Sequence, residues 1–259
     1  MYLAMIIGVV TLIVLFLGMI FFLELGRRMR LRFLPKNDEK LAGGLSVVEG
    51  ALFGLMGLVI AFTFSGAASR FDDRRHLIVE EANNIGTAYL RLDLLSPAAQ
   101  PEIRDLVRRY VDARIETYRV LPDYDAAMLQ FAKAGEIQQR IWNYAVNATK
   151  DEPNPQAAIV LLPALNQMFD IANTRFWATQ THPPVMIFML LGILALVCAL
   201  LAGFGMGAGT TRSWIHVVGF AIILTFAVYV IVDLEYPRMG FIRVDSFDQA
   251  LVDVRATMK

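Results

Sequence analysis

The chain is poor in the residues that mark most familiar functional classes. Among 259 residues there is a single cysteine, Cys198, and it lies inside an apolar run. That excludes a disulfide framework and a thiolate metal site. There are three histidines, His76, His182 and His216, on three different segments and never in an H-x-x-x-H pair, so no histidine metal site is written into the spacing. No G-x-S-x-G, H-E-x-x-H or Walker-type sequence occurs, and the expectation is that the protein is not an enzyme and carries no cofactor or metal. The glycines of GFGMGAG (203–209) follow no strand and open no G-x-x-G helix, so they read as a turn and not as a phosphate cradle. Net charge is absent as well: 24 basic residues face 24 acidic ones, which gives no overall field to draw nucleic acid. Strand-like alternation, internal repeats and low-complexity tracts are missing.

What the chain has in excess is apolar length. It is 56% hydrophobic with 19% charged residues and a mean hydropathy of +0.50. That mixture suits a membrane protein with a sizeable aqueous part. Four segments can span: 3–23, 45–66, 184–206 and 214–232. Each is close to the 20 or so residues that a helix rising about 1.5 Å per residue needs to cross about 30 Å of hydrocarbon. The first is read as a retained helix and not as a signal peptide, because no basic n-region precedes it and RRMRLR follows it where a cleavage site would stand. The predicted fold is all-α, with two membrane hairpins, 1–66 and 184–235, a helical aqueous domain over 67–183 between them, and a C-terminal tail over 236–259.

Within the aqueous insert, Leu77, Ile78, Ile85, Tyr89, Leu92 and Leu95 recur with helical period. Ser96-Pro97 predicts the cap and first turn of a helix over 98–120. Asp123 predicts the cap of another through about 149, and Asn154-Pro155 the start of a fourth through about 179. Seven basic residues in the 25–44 and 207–213 loops face six at the insert's ends and in 238–243. Positive-inside weighting thus slightly favours an insert outside the cytoplasm, by a margin that leaves its side open.

The second span runs into GAASRFDDRRH without a proline, so it is expected to continue as helix into water. Projected at about 100° per residue, Gly50, Gly54, Gly57, Ala61 and Ala68 gather on one side as a close-packing seam of the small-xxx-small kind. Met56, Ile60 and Phe64 stack at i, i+4, i+8 as a bulky row. That row either packs against lipid or a neighbouring helix, or forms an apolar constriction if several copies surround an axis. Asp72, Asp73, Glu80 and Glu81 form an acidic group: as a site it would bind Ca²⁺ or draw cations to a pore mouth, and as ordinary surface it would pair with Arg74 and Arg75. Asp233 and Glu235 leave the last span, where a carboxylate is costly unless paired or wet.

The run GLVIAFTFSGAASRFDDRRHLIVEEANNIGTAYL resembles the second transmembrane helix and following cytosolic helix of bestrophins, with Glu81-Ala82-Asn83-Asn84 in the place of their N-E-A-type motif. Asp233-Leu234-Glu235-Tyr236-Pro237-Arg238 is similar to their acidic L-E-x-P segment after the last span. The order of two spans, helical insert, two spans and acidic tail agrees over nearly the whole chain. Asp73 and Arg74 stand where bestrophins carry paired tryptophans. The resemblance, to the bestrophin-like family of bacterial membrane proteins, implies a multi-pass protein of the bacterial inner membrane with the insert in the cytoplasm. It further implies a homo-oligomeric, pentameric ion channel for monovalent ions, lined by the second span with Met56, Ile60 and Phe64 as the neck. Only Asp233-Leu234-Glu235 of the acidic run that binds Ca²⁺ in some bestrophins is present, which points to a capping or salt-bridge role for Asp233 and Glu235. The competing class is a non-conducting membrane scaffold or sensor whose insert binds a protein partner. Ion selectivity does not follow from the sequence.

Overall fold

A computed structural model describes residues 2–33, 39–121, 123–150, 156–207 and 214–259, with side chains from 9 and from 46 onward in the first two stretches. The described residues are mostly helical, with no strand among them. The helices are α1 (Tyr2–Phe33), α2 (Glu39–Arg91), α3 (Gln100–Arg119), α4 (Tyr124–Lys150), α5 (Gln156–Gln180), α6 (Val185–Met206), α7 (Trp214–Glu235) and α8 (Gln249–Thr257). The stretches long and apolar enough to cross a bilayer are Val9–Phe33, Trp214–Glu235, and parts of Ser46–Leu94 and Gln156–Met206. The end of the GFGMGAG turn and Asn154-Pro155 lie outside the described residues.

The chain divides into two compact units. The first comprises 1–70 and 183–236, the second 71–182 and 237–259, and α2 contributes to both. In the first unit α1 and α6 pack most closely. A Cβ on Gly26 would come within 2.9 Å of the backbone of Leu200 and Phe204, and one on Gly203 within 2.6 Å of the carbonyl carbon of Leu23. One on Gly207 would meet Arg30 Cβ at 2.9 Å. Lipid tails are as apolar as leucine, so span-to-span association relies on such close backbone approach. The outward faces keep large apolar side chains uncovered, among them Ile13, Phe21, Met186, Ile193, Ile223 and Phe226. Exposed apolar surface on that scale marks a contact with lipid or protein.

The second unit has an ordinary globular core. Ile85, Leu92, Ile103, Val107, Tyr110, Ile141, Leu161, Leu165, Met168 and Leu251 are all fully buried. Of the expected stripe, Ile78, Ile85 and Tyr89 on α2 and Leu92 and Leu95 just beyond its end are buried, and Leu77 is half-buried. Asp123 caps α4 as predicted, its Oδ1 accepting from the Ala126 N–H at 3.1 Å. Ser96 differs. Its carbonyl accepts from the N–H groups of Ala99 and Gln100, which closes a turn first, so α3 opens at Gln100 behind an Ala99 cap with no side-chain bond. Pro101 then sits in the first turn, where its missing N–H costs nothing. Residues 237–259, read from sequence as a tail, fold into the second unit: a 3-10 turn at Asp245–Asp248 leads into α8, whose Leu251 joins the core and whose Arg255 forks onto Asp112 of α3 at 2.7 and 3.1 Å.

Candidate functional site

Helix α2 carries almost every residue that sequence reasoning singled out, and the structure sorts them by face. The row Met56, Ile60, Phe64 does not lie on one side. Met56 is 2% exposed, Ile60 half-buried and Phe64 45% exposed. Eight residues advance an α-helix by about 80° beyond two turns, so an i, i+4, i+8 row drifts from the packed face to its flank. Phe53 meets Phe220 of α7 edge-on, and the Leu52 carbonyl lies 3.8 Å from Cys198 Sγ of α6. Gly50, Gly54, Gly57 and Ala61 are all exposed, and nothing stands within 4 Å of a Cβ on any of the three glycines. Leu58 and Phe62 share that open side, 52% and 70% exposed. The close seam within the chain is therefore α1 against α6, while the small residues of α2 face outward.

The acidic group separates too. Asp72, Asp73 and Glu80 are exposed, and Asp72 accepts from Arg75 at 2.9 Å as an ordinary i,i+3 pair. Glu81 is fully buried in the second unit. Arg114 Nε of α3 donates to its Oε1 at 2.5 Å and Arg175 Nη1 of α5 to its Oε2 at 2.7 Å. Arg175 continues to Asp248 Oδ1 at 2.5 Å, and Asp248 also accepts from Arg238, which reaches Asp245 as well. The Tyr118 ring sits among these cations, with the guanidinium carbons of Arg175, Arg238 and Arg114 at 3.5, 4.9 and 5.2 Å from its centre. Its hydroxyl accepts from Arg114 at 3.0 Å. Burial alone would push the Glu81 carboxyl up, but the charges and hydrogen bonds of Arg114 and Arg175 outweigh it and hold the group below the usual carboxylate range. The Tyr110 phenol beside this cluster is pushed up by burial.

This network is not visible in the sequence, because its members are far apart in the chain. One signal was present. Arg114 falls on the buried stripe of α3 between Tyr110, Val111 and Tyr118, and Arg175 on that of α5 beside Ile171 and Ala172. A charge at a core position of an amphipathic helix demands a buried counter-charge.

The exit carboxylates lie in the first unit. Glu235 is 0% exposed and takes a forked contact from Arg70 of α2: Nε at 3.1 and 3.0 Å and Nη2 at 2.8 Å. Asp233 is buried as well. Four residues on, Arg74 donates to the carbonyls of Ala178 and Thr181 at 3.1 and 3.0 Å, a cation over the last turn of α5. The three histidines lie apart on α2, after α5 and on α7, and among the described residues no three His, Cys, Asp or Glu converge as a metal site would require.

The fold is similar to that of a bacterial bestrophin homologue from Klebsiella pneumoniae, in three crystal structures each 14% identical to this chain. A tryptophan-to-alanine variant of that protein matches with a TM-score of 0.64 over 96% of this chain and 98% of its own. Another structure of it gives 0.63 over 94% and 98%, and a tyrosine-to-alanine variant 0.61 over 95% and 98%. No curated protein matches the sequence. The Bestrophin-like domain, however, matches residues 36–247, from just before α2 into the Asp245–Asp248 turn. The chain belongs to the Bestrophin-like family.

Proposed function

We propose that the chain assembles with copies of itself, five in the family's manner, into a channel for monovalent ions across the bacterial inner membrane, and that α2 is its wall. The observation that carries this reading is the uncovered side of α2. A span whose Gly50, Gly54 and Gly57 would meet nothing within 4 Å of a Cβ, and whose Ala61, Leu58 and Phe62 are exposed, has a face to offer to an axis and to neighbouring copies. Stacked apolar rings gate by dewetting, and they need side chains that point away from the protomer. Met56 is packed inside and does not qualify, so we place the neck one row over, at Leu58 and Phe62, with Phe64 on its flank. Beyond the bilayer, Asp72, Asp73 and Glu80 remain on the open side of α2 as the charges that a permeating ion meets, whereas Glu81 is internal to the protomer.

Ion flux into liposomes holding the purified protein tests the channel, and particle symmetry in detergent tests the assembly. Replacing Leu58 and Phe62 together with alanine is expected to raise flux several-fold, while Met56→Ala leaves the rate per oligomer near the original. A monomeric particle, or flux indifferent to Leu58 and Phe62, would remove the neck from this face.

A further inference from the structure

A span in lipid has a rotational problem that a soluble helix lacks. In water, turning an amphipathic helix exposes its apolar stripe and is opposed; in hydrocarbon, one apolar face is as well solvated as another, so the hydrophobic effect supplies almost no torque. What holds a rotation is interlocked packing or polar contact. Helix α1 has the first, since Gly26 and Gly203 bring its backbone against that of α6. On α2 the packed side holds Met56, Ala67 and the Phe53–Phe220 contact, but the glycine side adds no such interlock, because Gly50, Gly54 and Gly57 face open space. At the end of its apolar stretch stands the Arg70 fork on Glu235, a carboxylate with no exposed surface.

We infer that Arg70 and Glu235 are positioning residues that fix the rotation of α2 about its own axis, and so determine that Leu58 and Phe62, and not Met56, point away from the protomer. The inference rests on the reading of α2 as the pore wall. A bidentate guanidinium–carboxylate pair suits this task because its two parallel bonds fix an angle as well as a distance, which a lysine point charge does not. Glu235 terminates α7, so the stop is anchored on a neighbouring span and not on α2 itself. Arg70 faces the same side of α2 as the buried Met56 and Ala67, and a pin on that side turns the opposite side outward.

Arg70→Lys separates positioning from charge balance, since it keeps the buried carboxylate compensated and loses the fork. The readout is thiol labelling in a Cys198→Ala background with cysteine placed singly at 56 or 58, in detergent with N-ethylmaleimide. With Arg70 present, Leu58→Cys is expected to react several-fold faster than Met56→Cys. Arg70→Lys is expected to collapse that ratio towards one while the melting temperature stays within a few degrees, a combination that a merely stabilising pair would not produce. An unchanged ratio overturns the inference. If Arg70→Lys fails to fold, the neutral pair Arg70→Gln with Glu235→Gln is labelled instead, with the same expected collapse and the same overturning result. Flux is recorded in parallel: absence of flux from the unmodified protein would defeat the channel reading, while the labelling ratio still decides whether this pair sets the rotation.

Discussion

Glu81 shares a helix and a charge with Asp72, Asp73 and Glu80, yet it alone of the four is shut away from water, between Arg114 and Arg175. Removing one partner from a buried ion cluster strands the others, at a typical cost of about 3–5 kcal/mol. Glu81→Gln is therefore expected to destabilise the second unit by about that amount, against about 0.5 kcal/mol or less for exposed Glu80→Gln, as read from denaturation monitored by tryptophan fluorescence. The pH dependence has a definite sign. A carboxyl held below its unfolded value contributes stability that is complete above that value, about 4.3, and is lost as pH falls through the lower folded one. Melting temperature should thus be flat in this contribution from neutral pH down to about 5 and fall only in stronger acid. The four carboxylates could not be told apart by composition. Their helical positions could have done so: Glu81 lies three and four residues from Ile78 and Ile85, on the apolar stripe, whereas Glu80 does not.

At the scale of the element, glycine has two different jobs here. On α1 and α6 it admits a neighbour's backbone; on α2 it leaves a surface smooth. Gly203→Ala would drive a methyl group into the Leu23 backbone and is expected to cost about 1–3 kcal/mol or more, since overpacking against main chain cannot be relieved by a rotamer change. Gly54→Ala meets nothing within the protomer and should not lower the melting temperature of dissociated protein, and should raise it slightly because alanine favours a helix interior over glycine by about 0.5–1 kcal/mol. Thermal unfolding in detergent compares the two directly. Small-residue spacing is visible in a sequence on any span, but which seam is filled depends on the partner helix, and periodicity along one helix contains no information about its neighbour. Helix existence and caps such as Asp123 were legible for the opposite reason, because capping and apolar period are local.

The whole molecule closes on itself in sequence. Residues 237–259 return to the second unit and give it Arg238, Asp248, Leu251 and the Arg255–Asp112 fork. Truncation after Val244 is expected to abolish cooperative unfolding of that unit, because it removes a core leucine and uncovers Arg175 on one side; a fluorescence melt without a sigmoidal step is the expected observation. Family membership and the all-helical plan could be read from the α2 run and the Asp233–Arg238 segment, which are contiguous stretches. The return of the C-terminal residues could not, since nothing in their composition says which helices they will join.

Arg70 and Glu235 are 165 residues apart. A ribosome adding about 5–20 residues per second reaches the second on the order of ten seconds after the first. For that interval α2 is in the translocation machinery or the bilayer with no fork to stop its rotation, and its arginine must be hydrated or held by lipid phosphate. The direction in which the open face points is thus settled late in synthesis, by the final residue of the last span.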